Sequence, residues 1–458
     1  MKTVKSLFIH MAAVAAAAML IIGCSKDEDN NNDNPSNPSN PNQPEQTGRK
    51  VSTDVVYEAN PRFFGTEDCL NALNSELTRI NNLGCNILWI MPVCEPSTAS
   101  QSVGSPYSIK NYEAINPKYG TVSDLQNLVK NAHNLGMKVI LDWVPNHTGW
   151  DNPWITEHPD WFMHNNKGQI ISPPGQNWAD VAQLDYSNPA VAEGMSQAIK
   201  YWVNIADIDG FRFDYADSPQ IPSSFWTSLA SDLKAMKSDI ILLAESSNYS
   251  FYDYGYDMIY DWNSAPTISS AFKTGKTSSV VEEGESALGD VPEGKSILRY
   301  VFNHDTMSEN PIDTYYGSID ALPAAYVCAS MLNGTPLIYS GMDAQGLKGT
   351  QSFFNYKTIT FNEKLTPVYK AINDAFRTTA EVRGGTLTNY TTTSVIAWSW
   401  TLNNKPVMVV VNPTGAEIVI STPMAVTGLT MTDLINGGTS MLGSTMKLGA
   451  YGYSILMN

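Results

Sequence analysis

The chain has 458 residues, a formal net charge of −17 and an ordinary globular composition, 43% hydrophobic and 16% charged. That length suits one large α/β domain with a smaller companion rather than a single small core. The first 23 residues carry +2 and residues 24–50 carry −2, so the negative charge lies in the body; this argues against a nucleic-acid partner, whose phosphates need clustered Lys and Arg.

At the N-terminus, Lys2 and Lys5 precede an alanine-rich apolar stretch from Met11 to Ile22 that stops at Gly23-Cys24. The stretch is too short for a comfortable membrane-spanning helix and predicts a secretion signal over residues 1–23. Ile21-Ile22-Gly23-Cys24 resembles a bacterial lipobox, which implies lipidation of Cys24 and membrane contact through that lipid anchor alone. Residues 24–50, opening CSKDEDNNNDNPSN, lack the apolar side chains to bury anything and predict a disordered tether. The acidic run after the cysteine resembles the signal that sends Bacteroidetes lipoproteins to the outer cell surface, and implies an outer-membrane, surface-exposed location.

From Val55 a rhythm sets in of apolar strand-like run, motif and amphipathic helix. The runs are VVYEAN (55–60), NILWIMPV (86–93), KVILDWVPNH (138–147), GFRFDYA (210–216), IILLAES (240–246), YDMIYDW (256–262), RYVFNHD (299–305) and TPLIYSG (335–341). Most are continuously apolar, as parallel strands buried on both faces require. Helices are expected over Thr121–Leu135, Pro189–Ile205, Ser223–Met236 and Ile319–Leu332. Eight strands with crossover helices predict an α/β chain closed into a (β/α)8 TIM barrel over 51–383, with a doubly wound open sheet as the alternative. An insertion rich in Trp, Pro, Asn and Gly, residues 150–188, follows the third strand. After Arg383 the runs shorten and alternate, which predicts a C-terminal antiparallel β domain over 384–458. Four cysteines remain, Cys69, Cys85, Cys94 and Cys328, without the spacing of a zinc site; disulfides and buried free thiols both fit.

Polar residues gather at the ends of several runs: Asp142, Asn146 and His147 after the third, Arg212 and Asp214 on the fourth, Glu245 on the fifth, Asn303, His304 and Asp305 on the seventh. In a barrel those ends converge on one mouth. The residue types suit glycosidic bond cleavage, which needs one ionised carboxylate as nucleophile and one protonated carboxyl as acid. Arg212, two residues before Asp214 on an extended strand, is expected to keep Asp214 ionised, while Glu245, at the end of the apolar run IILLA, is expected to be raised by desolvation and the nearby carboxylate field.

DWVPNH, GFRFD, LLAES and FNHD resemble, in order and spacing, the four conserved regions of the α-amylase family, glycoside hydrolase family 13. QLDYSNP (183–189) and SPYSIKNYEAINPKYGT extend the likeness across about residues 55–345. The resemblance implies a retaining hydrolase of starch-like α-glucans or maltooligosaccharides, mainly α-1,4 linked, with Asp214 as nucleophile, Glu245 as acid/base and Asp305 as the third carboxylate. It further implies Tyr107 as a platform under the reacting ring, with Asp142, His147, Arg212, Asn303 and His304 at the substrate. Related activities, transglycosylase or α-glucosidase, use the same carboxylates, and a non-catalytic surface glucan-binding lipoprotein is the reading from another class; the intact carboxylate set speaks against that last one.

One departure matters. Where many starch-degrading members follow the nucleophile with Lys-His, whose backbone helps hold a calcium ion, this chain has Asp217-Ser218. Asn146 and Asp180 remain as matching oxygen donors, too few for a tight site. No cofactor is therefore expected to be required, and any structural calcium would be weakly held. Trp150, Trp154, Trp161, Phe162 and Trp178 in the insertion could stack on glucose rings or fill the insertion's own core.

Overall fold

The computed structural model describes residues 47–458; Cys24, the leader and most of the tether lie outside the described residues. Within them eight parallel strands close into a barrel, each paired with the next in sequence and the last with the first. They are β1 (Val56–Ala59), β2 (Ile87–Ile90), β3 (Lys138–Trp143), β4 (Gly210–Phe213), β5 (Ile241–Ala244), β6 (Met258–Tyr260), β7 (Ser296–Tyr300) and β8 (Thr335–Tyr339). Nearly every residue in them is buried, because side chains fill the inside and helices cover the outside. This closed barrel, with helices between its strands, replaces the open-sheet alternative.

Local chemistry sets the helix boundaries. Helix α1 (Val122–Asn134) starts on a capping box in which Thr121 and Asp124 satisfy each other's backbone N–H groups. Helix α2 (Pro189–Ala206) starts with Asn188 accepting from the Ala190 N–H and with Pro189 where no N–H is needed. Helix α3 (Ser223–Met236) returns the chain to β5. At the start of β4, a Cβ on Gly210 would lie 2.1 Å from the Ile241 carbonyl oxygen, so this close strand approach requires glycine.

Two expected elements move. The seventh strand lies at Ser296–Tyr300, not within 299–305, and Asn303 instead caps helix α4 (His304–Glu309), so His304 and Asp305 stand on a helical turn. The Asn303 side chain accepts from the Thr306 N–H at 2.8 Å, which converts the end of RYVFNHD into a helix start. The helix expected from Ile319 begins with a 3-10 turn, Ile319–Ala321, before α5 (Leu322–Ser330), since Pro323 has no N–H to donate.

Beyond Arg383 a six-stranded antiparallel sheet forms, in the order Thr386–Asn389, Ile396–Leu402, Lys405–Val411, Tyr453–Met457, Thr430–Asp433, Thr439–Met441. It docks on the barrel through Trp398 and Trp400, whose indole N–H groups both donate to the Met331 carbonyl just past α5, at 3.3 and 2.9 Å. The four cysteines of the body, Cys69, Cys85, Cys94 and Cys328, are buried free thiols.

Candidate active site

The C-terminal ends of the strands open into a cavity of about 470 Å³. Of the catalytic and substrate residues expected from the sequence, Tyr107, His147, Asp214, Glu245, His304 and Asp305 line it, as do Trp178, Asp180 and Asp217. Asp142, Arg212 and Asn303, expected at the substrate, do not: they are 1%, 0% and 0% exposed and lie beneath the lining. A second cavity, about 520 Å³, opens at the opposite end of the barrel among strand starts such as Lys138, Ile241 and Ser296, and holds none of these residues.

Arg212 organises the floor. Its Nη1 contacts Asp142 at 2.8 Å and Asp214 at 3.0 Å, its Nη2 contacts Glu245 at 2.5 Å, and its Nε donates to the Tyr260 hydroxyl at 3.2 Å. Strand register brings this about, since Asp142 on β3 stands directly opposite Arg212 on β4. Asp142 also accepts from the Tyr107 hydroxyl at 3.0 Å and the Trp89 indole at 3.2 Å. A buried guanidinium is thus surrounded by carboxylates that offset its desolvation.

The titration of the pair departs from expectation. At Asp214 burial outweighs the attraction of Arg212 and moves the carboxyl upward, where a net downward push was expected. Glu245 goes up to about 8, chiefly by burial, with Asp214 adding and Arg212 opposing. Glu245 is therefore protonated at neutral pH. Its Oε2 also accepts from the Tyr215 N–H at 2.6 Å, and Tyr215 sits at φ 43°, a left-handed backbone that a bulky residue rarely adopts.

The histidines differ in charge. Burial pushes His147 down, and its Nδ1 faces the Asn146 amide at 3.1 Å, which leaves the ring hydrogen on Nε2. His304 goes up to about 9: burial opposes the charge, but Asp305 and Glu58 outweigh it.

Glu58, fully buried on β1, contacts His304 Nδ1 at 2.5 Å and was not singled out in the sequence. A lone Glu within the apolar run VVYEA was its one visible signal. Trp262, Phe353 and Phe354 also line the cavity without any motif to mark them. Of the insertion's aromatics, Trp178 lines the cavity, with its ring edge-on to His147 and Tyr215 at 5.7 and 5.0 Å. Trp154 and Trp161 pack on each other at 5.0 Å and Phe162 is buried, so these fill the insertion's core; Trp150 donates to the Ala179 carbonyl.

Of the two residues that matched a calcium site, Asp180 lines the cavity and Asn146 has its oxygens turned to hydrogen bonds. Asn146 Oδ1 accepts from the Ser218 hydroxyl at 2.6 Å and the Gln183 amide at 3.1 Å, and the Asn146 carbonyl accepts from the same amide at 2.9 Å. A cation would have to displace these donors from Asn146, and Asp180 by itself is too little to hold it, so the residues present do not fit the ion. Excess chelator is expected to leave the melting temperature and activity nearly unchanged, because only an ion bound to the folded state stabilises it. A drop of many degrees on chelation, reversed by millimolar calcium, would contradict this.

The catalytic-domain model described as "Alpha amylase, catalytic domain" matches residues 57–404. The chain belongs to the α-amylase family. It is 29% identical to Alpha-amylase 3 of Dictyoglomus thermophilum over 65% of this chain and 65% of that protein. It is 26% identical to Alpha-amylase MalA of Haloarcula japonica over 84% of this chain and 58% of that protein. The matches thus span less than two thirds of either relative's length. An α-amylase from Lactobacillus plantarum shares the fold with TM-score 0.77 at 24% identity, covering 89% of this chain and 99% of that one. A maltogenic α-amylase, AmyB from Thermotoga neapolitana, gives TM-score 0.75 at 25% identity, covering 89% and 98%.

Proposed function

We propose that this family member is a retaining glycoside hydrolase of α-linked glucans, working by double displacement. The observation that carries the reading is Arg212 holding Asp214 on one nitrogen and Glu245 on another, at the floor of one cavity. Two carboxyls on a single guanidinium favour the short separation, about 5–5.5 Å, that leaves room for a nucleophile but not for an intervening water.

In the first step Asp214 attacks the anomeric carbon, the glycosidic bond breaks, and Glu245 gives its proton to the departing oxygen. Water then attacks the same carbon, Glu245 takes a proton from it, and the ester to Asp214 breaks, so configuration is retained. Asp305, with a side chain 43% exposed, is assigned to grip sugar hydroxyls, with His304 beside it and His147 lining the same cavity. Tyr107 is assigned as the floor under that ring. Asp142 and Arg212 act from beneath, and Asn303 acts by capping α4.

Among the described residues the lining includes Asp180, Asp214, Asp217, Glu245 and Asp305 and no Lys or Arg. Such a surface favours neutral sugars over phosphorylated or carboxylated ones. Digestion of maltooligosaccharides, amylopectin and pullulan, with proton NMR of the first-formed anomer, tests the reading. An α product is expected; a β product would overturn retention, and dominant chain-lengthened products would reassign the chain as a transglycosylase.

The chain is also proposed to be a lipoprotein anchored through Cys24 at the bacterial cell surface, supported by the IIGC motif and the polar tether after it. The full chain is expected in the membrane fraction, and Cys24→Ala is expected to release it or block maturation. Fractionation that finds the unaltered protein wholly soluble would contradict the anchor.

A further inference from the structure

We infer that Glu58 is a positioning residue for the sugar-gripping side of the site: its carboxylate holds the His304 ring so that Nε2 is turned to Tyr107 and Asp305. The inference rests on the proposed roles of His304 and Asp305.

Glu58 is 0% exposed and stands in a strand whose neighbours Val56, Tyr57 and Ala59 are apolar and buried. A carboxylate there carries a heavy desolvation cost unless it is paired, and a glutamine would fill nearly the same volume without that cost. Its partner is His304, 246 positions away, with Oε1 at 2.5 Å from Nδ1. The backbone cannot yield, because Glu58 is registered against Trp89 on β2 and Tyr339 on β8. With Nδ1 committed to Glu58, Nε2 meets the Tyr107 hydroxyl at 2.9 Å and Asp305 Oδ2 at 3.3 Å. Tyr107 passes its own hydrogen to Asp142, which binds Arg212, which binds Asp214 and Glu245. A continuous line of hydrogen bonds and ion pairs therefore runs from β1 to both working carboxyls.

The charges facing His304 come from every side: Glu58 on β1, Asp305 on its own helix, Asp142 on β3 and Arg212 on β4, with Tyr107 stacked on the ring at 5.5 Å. Burial pushes Glu58 up and His304 pulls it back. The imidazole, held at about 9, carries both ring hydrogens at neutral pH, one for Glu58 and one for the Tyr107 oxygen. Neutralising Glu58 removes one of the carboxylates that favour the charged ring and leaves only a weaker amide acceptor at Nδ1, so the ring is held less firmly. Tyr107 then loses its donor and Asp305 its cationic neighbour.

The test is Glu58→Gln in the full chain, with His304 titrated by nitrogen-15 NMR and assigned through a His304→Asn variant. The His304 midpoint is expected to fall from about 9 towards the ordinary histidine value of about 6.5. In the same variant kcat/KM on maltooligosaccharides is expected to fall about 10- to 100-fold through kcat more than KM, because the misplaced groups act on the distorted sugar. Glu58→Asp, which keeps the charge but draws it back by one methylene, is expected to keep the high midpoint and still lose turnover; it serves if the glutamine variant does not fold. An unshifted His304 midpoint in Glu58→Gln, or a shifted midpoint with unchanged kcat/KM, would overturn the inference. A parent protein inactive on every α-glucan would sink the functional reading instead, and the NMR comparison would still decide the pairing.

Discussion

Glu245→Gln is expected to lower kcat/KM on maltooligosaccharides by about 10²–10⁴-fold, the usual worth of a positioned general acid. Asp214→Asn is expected to lose at least as much, because an amide cannot form the ester on which the second half of the reaction depends. The two variants should part on α-maltosyl fluoride, whose leaving group needs no proton. There Glu245→Gln keeps a much larger share of the parent rate, and Asp214→Asn does not. The pH profile adds an independent check. Glu245 works as acid only while protonated, and burial holds it at about 8, so kcat/KM falls as pH rises through that value. Glu245→Gln has no such limb. Either variant within tenfold of the parent on maltooligosaccharides, or an alkaline limb that persists in Glu245→Gln, would sink the assignment.

Arg212→Leu is expected to be the most destabilising single change at the site. Arg212 is 0% exposed and balances Asp142, Asp214 and Glu245 together. Removing one partner of a buried ion pair leaves uncompensated charge and costs about 3–5 kcal/mol, a large part of the roughly 5–15 kcal/mol by which domains are stable. The pH dependence has a definite sign. All three carboxyls are shifted upward in the folded chain by burial, so between their ordinary range and their folded values the folded state binds more protons than the unfolded one. Stability therefore falls as pH rises through that window. Without Arg212 the strongest pull that brings these carboxyls back down is lost, so the deficit is expected to be greatest above pH about 8, the folded value of Glu245, and to shrink on acidification towards about 5. Denaturant melts of parent and variant across that range measure it. A loss below about 1 kcal/mol, the range of an exposed ion pair, would show that Arg212 does not carry this charge balance.

Several features of the molecule were legible in its residues alone. The barrel strands announce themselves because a strand covered on both faces has no solvent side, and so reads as an unbroken apolar run; polar residues at its end then stand out. That logic led to Asp214, Glu245, His147 and Asp305, all of which line the cavity. It failed for β7, where SILRY carries Ser and Arg while the apolar run continues past the strand into VF, and only the Asn303 cap marks where helix begins. It also failed for the outer strands of the C-terminal sheet, such as Thr439–Met441, which are rich in Thr and Ser and exposed, and are held by backbone pairing rather than by an apolar face.

Tertiary structure alone decided which polar side chains face the cavity and which brace it from below. Asp142, Arg212 and Asn303 have the same motif credentials as their neighbours, yet closure of the barrel places them beneath the floor. Glu58 has no motif, and it acquires its partner only when closure brings β1 beside β8 and sets His304 at the same mouth. Titration follows the same division. The residue types pointed to carboxylate chemistry, since the reaction needs a nucleophile and an acid. The upward shift of Asp214 and the value near 8 at Glu245 follow from how completely the folded chain strips water from them and where it places Arg212, because desolvation and charge separation are properties of distance in space and not of order along the chain.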